Sequence, residues 1–276
     1  SVKVKFKHVG GIFMKINLHS HTTFCDGKNS AEEMVVSAID HGFDVFGFSG
    51  HSYTPFDESY CMSLAGTVEY RKEVERLAKK YERRIKILCG VEQDFFSDQS
   101  VRPYDYVIGS VHAFYNKKYD KYIYADYDPK ILEDACRLYY GGDFLALAED
   151  YFEEESLVVQ KTGCNIIGHF DLITKFNEQS PMFDESHPRY TAAVDKALKR
   201  LISSGAVFEI NTGAMSKGYR TTPYPSESIL KKIRAGGGRV IISSDTHSAD
   251  TVDFAFDDAL RLAEICGFET LSYPLR

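Results

Sequence analysis

From residue 15 onward, short apolar runs alternate with longer stretches whose apolar positions recur every three to four residues, the pattern of repeated strand and helix units. Strands are predicted at 15–18, 44–49, 86–91, 106–111, 165–168, 207–210 and 239–243, and helices at 30–41, 66–83, 188–204, 226–235 and 251–266. Ser30 with Glu33 three residues later forms a capping-box pattern, and Gly42 and Gly205 stand where helices should stop. His187, just before Pro188, is placed to cap the helix that follows. Residues 113–163 break the alternation: the Tyr/Lys-rich FYNKKYDKYIYADY reads as a hairpin or lid-like loop, and the remainder as one or two helices.

Seven strands with intervening helices, no flexible linker and no internal repeat predict one α/β domain over residues 14–276. The expected architecture is a closed, parallel, distorted (β/α)7 barrel of the TIM-like kind, with an open doubly wound sheet as the alternative, because periodicity does not show closure. Residues 1–13 (SVKVKFKHVGGIF) read as a leader, since Met14 directly precedes the first strand signal; Lys and Gly interrupt its apolar positions, so it forms neither a secretory core nor a membrane span.

Composition narrows the classes. A chain of 276 residues, 43% hydrophobic and 26% charged, can bury a large core. The formal charge of −7 and the lack of a basic run argue against a nucleic-acid binder. Six cysteines with no C-x-x-C pair fit a reducing cytoplasm.

The candidate chemistry sits at the strand ends, the face on which α/β barrels build active sites. The first strand runs into His19-Ser20-His21, whose imidazoles point the same way in an extended segment, and Asp26-Gly27 turns the chain soon after. The next strands deliver His51, Glu92 and His112; the fifth gives His169 and Asp171, and the seventh gives Asp245 and His247 two residues apart. A carboxylate such as Glu92 at the end of an apolar run is costly to bury without partners, which favours a ligand role. Imidazoles and carboxylates in this number suit zinc, iron or manganese better than calcium or magnesium. Read singly, each histidine has an ordinary hydrogen-bonding explanation; nine candidate ligands together (His19, His21, Asp26, His51, Glu92, His112, His169, Asp245 and His247) exceed what one ion needs. Cys25 beside Asp26 reads as a small packed residue rather than a nucleophile.

The ordered series H-x-H, G-H, G-V-E, S-V-H, G-H-F-D and S-D-T-H resembles the polymerase-and-histidinol-phosphatase (PHP) superfamily of metal-dependent phosphoesterases. Within it, HSHTTFCDG, GHFDLITKF and EINTGAMSKGY are similar to the stand-alone histidinol-phosphate phosphatases. The resemblance implies three divalent metal ions: one on His19, His21, Glu92 and Asp245, a second on the shared Glu92 with His112 and His169, a third on Asp26, His51 and His247. Asp26 departs from the pattern, since many relatives place a histidine there. The implied reaction is hydrolysis of a small phosphate monoester, L-histidinol phosphate, by a metal-activated hydroxide, with Glu92, Asp245 and His247 as catalytic groups and Asp245, His247 or a metal-bound water as proton donor to the leaving alkoxide.

Lys175, Asn211, Lys217 and Arg220 follow strand-end motifs and are the candidate substrate-binding side chains, with Asp171 as a positioning partner of His169 or a helix cap. Two rival functions stand beside this one: a phosphoesterase of the same fold acting on another small phosphate or a nucleotide, and a catalytically silent metal-binding interaction module. Three divalent ions would cancel most of the −7, so an acidic chain can still present a positive barrel mouth to phosphate.

Overall fold

The computed structural model describes residues 2–5 and 14–274. The strand β1 (Val2–Lys5) pairs antiparallel with residues 270–273, outside the main sheet; the rest of the expected leader lies outside the described residues. The barrel begins with β2 (Ile16–Asn17), α1 (Ala31–Asp40), β3 (Val45–Phe48), α2 (Leu64–Lys80), β4 (Lys86–Asp94) and β5 (Tyr106–Ser110). An insertion follows: the hairpin β6 (Ala113–Asn116) and β7 (Lys121–Tyr124), then α3 (Pro129–Tyr140), α4 (Phe144–Glu155) and α5 (Val158–Thr162). The barrel resumes with β8 (Ile166–Ile167), α6 (Pro188–Ser204), β9 (Val207–Asn211), the short α7 (Gly213–Ser216), α8 (Glu227–Ala235), β10 (Arg239–Ser243), α9 (Phe256–Ile265) and β11 (Thr270–Tyr273).

Seven strands form one parallel sheet in the order β10-β9-β8-β5-β4-β3-β2. Its two edges meet just beyond the ends of β2 and β10, where the His21 amide donates to the Thr246 carbonyl at 2.8 Å and Thr246 to that of His19 at 3.3 Å. The seven predicted strands are these seven, and the edges join as a distorted (β/α)7 barrel. Its strands read as unbroken apolar runs because helices cover the outside while side chains fill the inside. Tyr106, fully buried, ties neighbouring strands together: its hydroxyl donates to the carbonyls of Leu18 (2.6 Å) and Phe48 (2.8 Å), and a Cβ on Gly90 would lie 2.2 Å from its ring.

Local signals act as their chemistry requires. Ser30 and Glu33 form the reciprocal capping box of α1, and His187 caps α6 by accepting from the Arg189 amide. The apolar stripe Tyr190, Val194, Ala197, Leu198 and Leu201 seats α6 on the core. Three differences from expectation have local causes. The insertion carries three helices rather than one or two, because Gly141 and Gly142 take positive φ and end α3. The last long helix starts at Phe256 rather than near 251, because 249–251 form a 3-10 turn and Ala255 has φ +55°. Residues 270–273, which carry no run long enough to signal a strand alone, pair with β1. Among the described residues no helix is long and apolar enough to cross a membrane.

Candidate metal centre

Every strand of the barrel sends a polar residue to the same end. His19 and His21 follow β2, His51 follows β3, Glu92 lies within β4, His112 follows β5, His169 follows β8, and Asp245 and His247 follow β10. Glu92, 1% exposed, stands at their centre. Its Oε1 lies 3.1 Å from His169 Nε2 and 3.3 Å from His112 Nε2; its Oε2 lies 2.9 Å from His51 Nδ1, 3.2 Å from His19 Nε2 and 3.5 Å from His21 Nε2. Asp245 Oδ1 stands 3.5 Å from His19 Nε2 and 3.3 Å from His21 Nε2. On the outer side, Asp26 carries His247 Nε2 at 3.2 Å and His51 Nε2 at 3.6 Å, and the rings of His21 and His247 stack at 4.0 Å.

These separations suit ions. With metal–nitrogen bonds near 2.0–2.1 Å in a tetrahedron, neighbouring ligand atoms of one ion stand roughly 3.3 Å apart. His19 Nε2, His21 Nε2, His51 Nδ1 and Glu92 Oε2 are buried and lack hydrogen-bond partners although they face one another, a costly state for polar atoms unless something fills the space between them. Three groups lie close enough to hold an ion: His21, Asp26, His51 and His247; His19, His21 and Asp245; and His51, Glu92 and His112. His51 presents one nitrogen to Glu92 and the other to Asp26, so it can serve either side.

Protonation follows from the same contacts. Burial alone would lower the pKa of His19, but the carboxylates of Glu209, Asp245 and Glu92 outweigh it and lift it well above the usual imidazole value. His51 and His112 are raised too, against burial, chiefly by Glu92. His21 goes the other way, to about 3, through burial and the neighbouring His247 and His51. Glu92 resists its burial and is held well below the carboxylate range by His51, His19 and His112.

Two supporting carboxylates escape sequence reasoning. Asp94 lies 3.2 Å from His112 Nδ1, and Glu209 lies 2.7 Å from His19 Nδ1. Both sit in strand runs, VEQD and VFEI, and the only sequence signal is a carboxylate two residues from a candidate site residue, Glu92 in one case and Asn211 in the other. Asp245 takes a positive φ of 48°, and a Cβ on Gly213 would lie 2.8 Å from its Oδ2, so the Asn211-Thr212-Gly213 turn leaves room for that carboxylate.

A cavity of about 250 Å³ opens over the cluster. Lys175 and Lys217 line it, along with Tyr60, Tyr124, Asp126 and Tyr127. The hairpin β6–β7 thus borders the cavity with Tyr124. The other two candidate substrate-binding residues are placed elsewhere. Arg220 is buried below, donating to the Thr174 carbonyl (3.2 Å) and hydroxyl and to the Thr222 carbonyl (3.3 Å), with its guanidinium over the Tyr224 ring. Asn211 is fully buried and donates to Glu209 (2.7 Å) and Asp245 (3.3 Å), so it positions carboxylates instead of meeting the cavity. Asp171 neither touches the His169 ring nor caps the turn that follows; it accepts from the Ser226 amide at 3.0 Å. The Cys25 thiol is pushed up to about 12 by burial, which leaves it no thiolate at neutral pH.

Comparison with known proteins agrees with this geometry. The family model described as the PHP domain matches residues 17–213. A probable histidinol-phosphatase of Schizosaccharomyces pombe is 30% identical, covering 94% of this chain and 89% of its own, and the histidinol-phosphatase of Bacillus subtilis is 27% identical over 87% and 96%. Among solved structures, the histidinol phosphate phosphatase of Lactococcus lactis, determined with zinc, L-histidinol and phosphate, superposes with a TM-score of 0.65 at 23% identity, covering 92% of this chain and 94% of its own. A chain from Listeria monocytogenes described as a histidinol phosphatase gives 0.78 at 19% identity, over 88% and 99%. With a barrel whose strand ends converge on one imidazole–carboxylate cluster, and with similarity running along most of its length, the protein belongs to the PHP domain family.

Proposed function

We propose that the protein is a metal-dependent phosphomonoester hydrolase that converts L-histidinol phosphate to L-histidinol and inorganic phosphate. The observation that carries this reading is the gathering of six imidazoles and the carboxylates of Asp26 and Asp245 around Glu92, at ligand spacing, under a cavity with two lysines on its wall. The relatives named histidinol-phosphatase, and the Lactococcus enzyme holding zinc, L-histidinol and phosphate, support the same substrate. The six cysteines, all unpaired, suit a reducing cytoplasm.

His19, His21, Glu92 and Asp245 are assigned to one ion, Glu92 with His112 and His169 to a second, and Asp26, His51 and His247 to a third, with zinc, iron or manganese as the ions. Ions held there would supply an acidified water as nucleophile and neutralise charge on the phosphoryl oxygens. The chain's own residues do the rest. Glu92 shares its two oxygens between the imidazoles on either side and keeps their separation fixed. Lys217, exposed at the rim and near enough for its charge to help hold Asp245 ionised, attracts the phosphate. Lys175 holds the part of the wall that Asp126 forms. His247 has both nitrogens engaged, by the Asp245 carbonyl at 3.0 Å and by Asp26, and the Asp245 carboxylate faces two imidazoles. Ligation and proton donation compete at both residues, so the leaving alkoxide takes its proton from water entering the cavity.

The test is a panel of phosphate monoesters assayed after reconstitution with zinc, iron and manganese in turn. L-Histidinol phosphate is expected to exceed nucleotide and sugar monophosphates in kcat/KM by about a hundredfold or more. A nucleotide or sugar phosphate hydrolysed far better would replace the substrate. Fewer than two ions per chain and no hydrolysis would leave a metal-binding interaction module.

A further inference from the structure

We propose that Glu209 is the positioning residue that commits His19 to ligation through Nε2 and holds the His19–Asp245 side of the centre in register; this rests on reading the cluster as a metal site. Glu209 lies on β9 with its side chain inside the barrel and no exposed surface. Its Oε1 accepts from His19 Nδ1 at 2.7 Å and from the Ser243 hydroxyl. Its Oε2 accepts from Asn211 Nδ2 at 2.7 Å and from the His169 amide at 3.1 Å. The donors come from the ends of β2, β8, β9 and β10, including both strands at the barrel's closing edge.

Two consequences follow from donor and acceptor chemistry. An ionised carboxylate only accepts, so a proton of His19 is kept on Nδ1, and Nε2 is the nitrogen whose lone pair an ion would take. That nitrogen faces Glu92 and Asp245 and has no hydrogen-bond partner. Both oxygens of Glu209 are occupied by two donors each, so it supports the centre without being a ligand. Asn211 carries the effect one step further: its Oδ1 accepts from the Gly213 amide at 2.8 Å, which fixes the amide's orientation and turns Nδ2 toward Glu209 and Asp245 Oδ2. One carboxylate therefore sets the ring of His19, the carboxylate of Asp245 and the backbone of His169. Glutamine cannot replace it, because one orientation of the amide puts an NH2 group against the His19 Nδ1–H and the other against the Asn211 Nδ2–H and the His169 amide. Asp94 stands in a similar relation to His112 alone, on the opposite side of Glu92.

The test is a zinc competition titration of the full chain against a chromophoric chelator, comparing wild type with Glu209→Gln and Ser243→Ala. Glu209→Gln is expected to weaken one zinc by about 10–100-fold while the others stay within about threefold, and Ser243→Ala, which keeps the bond to His19, to leave every zinc within about threefold. Unchanged zinc binding in Glu209→Gln, or equal weakening at every site, overturns the inference. Should Glu209→Gln fail to fold, nitrogen-15 NMR of histidine-labelled, zinc-loaded wild type decides: a proton on His19 Nδ1 with zinc on Nε2 supports it, and the reverse overturns it. Wild type that binds no zinc would sink the metal-centre reading as well, whereas zinc-binding wild type with an indifferent Glu209→Gln would sink this inference alone.

Discussion

Glu92 Oε1 on β4 lies 3.1 Å from His169 Nε2, which follows β8, although the two residues are 77 apart in sequence and β5 runs between their strands. The other oxygen of the same carboxylate faces His19, His21 and His51. Glu92 is therefore the joint between the two sides of the cluster, and glutamine would leave one side facing an NH2 group that cannot ligate. Glu92→Gln is expected to lower turnover on the order of 10³-fold or more while circular dichroism stays that of the folded barrel. Near-normal turnover would remove the bridging role.

A second pair joins the insertion to the barrel. Lys175 Nζ lies 2.6 Å from the Asp126 carbonyl oxygen and 3.2 Å from its carboxylate. Asp126 follows the hairpin β6–β7 and Lys175 follows the turn after His169, so the pair closes one wall of the cavity. Loss of a partly buried, charge-assisted bond of this kind corresponds to about 1.5–3 kcal/mol, roughly tenfold to hundredfold in binding. Lys175→Met is expected to raise KM by about tenfold with a smaller change in kcat, and to make residues 113–127 easier to cleave in limited proteolysis. Unaltered KM together with unaltered cleavage would show that the pair does not hold the wall.

Much of the barrel and its cluster could be read from the chain because both signals are local. Each strand is a short apolar run followed within a few residues by its polar side chain, as in VFGFSGH for His51 and VIISSDTH for Asp245 and His247. What stayed hidden depends on direction and distance. Glu209 looks like a residue of a strand, and only the fold shows that its side chain points inward to meet His19 from the opposite edge of the sheet. Arg220 follows a strand-end motif as Lys217 does, yet one turns down onto Thr174 and Tyr224 and the other stays at the rim, a choice made by packing and not by spacing. β11 has no signal of its own because its partner β1 is more than 260 residues away.

Glu155 gives a pH dependence of stability. It ends α4 with 1% of its surface exposed, and its Oε1 has no partner. Burial, reinforced by Asp171, raises its pKa well above 4.5. A carboxyl raised in the folded state binds a proton that the unfolded chain has already released. Folding is therefore favoured fully below the unfolded pKa and progressively less as pH rises from there toward the folded pKa. Glu155→Gln removes that loss. Its melting temperature relative to wild type is expected to climb between pH 5 and pH 8, by about 2–4 °C for each kcal/mol released. A difference that stays flat or shrinks would contradict the buried, uncharged carboxyl.

Zinc binding should carry the opposite sign of pH dependence. In the metal-free cluster His19, His51 and His112 have raised pKa values, because burial is outweighed by Glu209, Asp245 and Glu92 at His19, by Glu92 with Asp26 at His51, and by Glu92 with Asp94 at His112. Their contribution to metal-free stability is full below 6.5 and is lost as pH rises through the raised folded values. A proton on the ring nitrogen that would ligate must leave before an ion can take the lone pair, so zinc affinity falls as pH falls, about tenfold per pH unit for each proton displaced. His21, already lowered to about 3, offers its lone pair without that cost. Calorimetric titrations with zinc in two buffers of different ionisation enthalpy, at pH 6, 7 and 8, are expected to show net proton release and an affinity that rises with pH, while the metal-free melting temperature declines above neutral pH. Zinc affinity independent of pH, with no proton released, would mean that these imidazoles are already neutral in the metal-free protein, and that Glu92 and Glu209 are not holding protons on them.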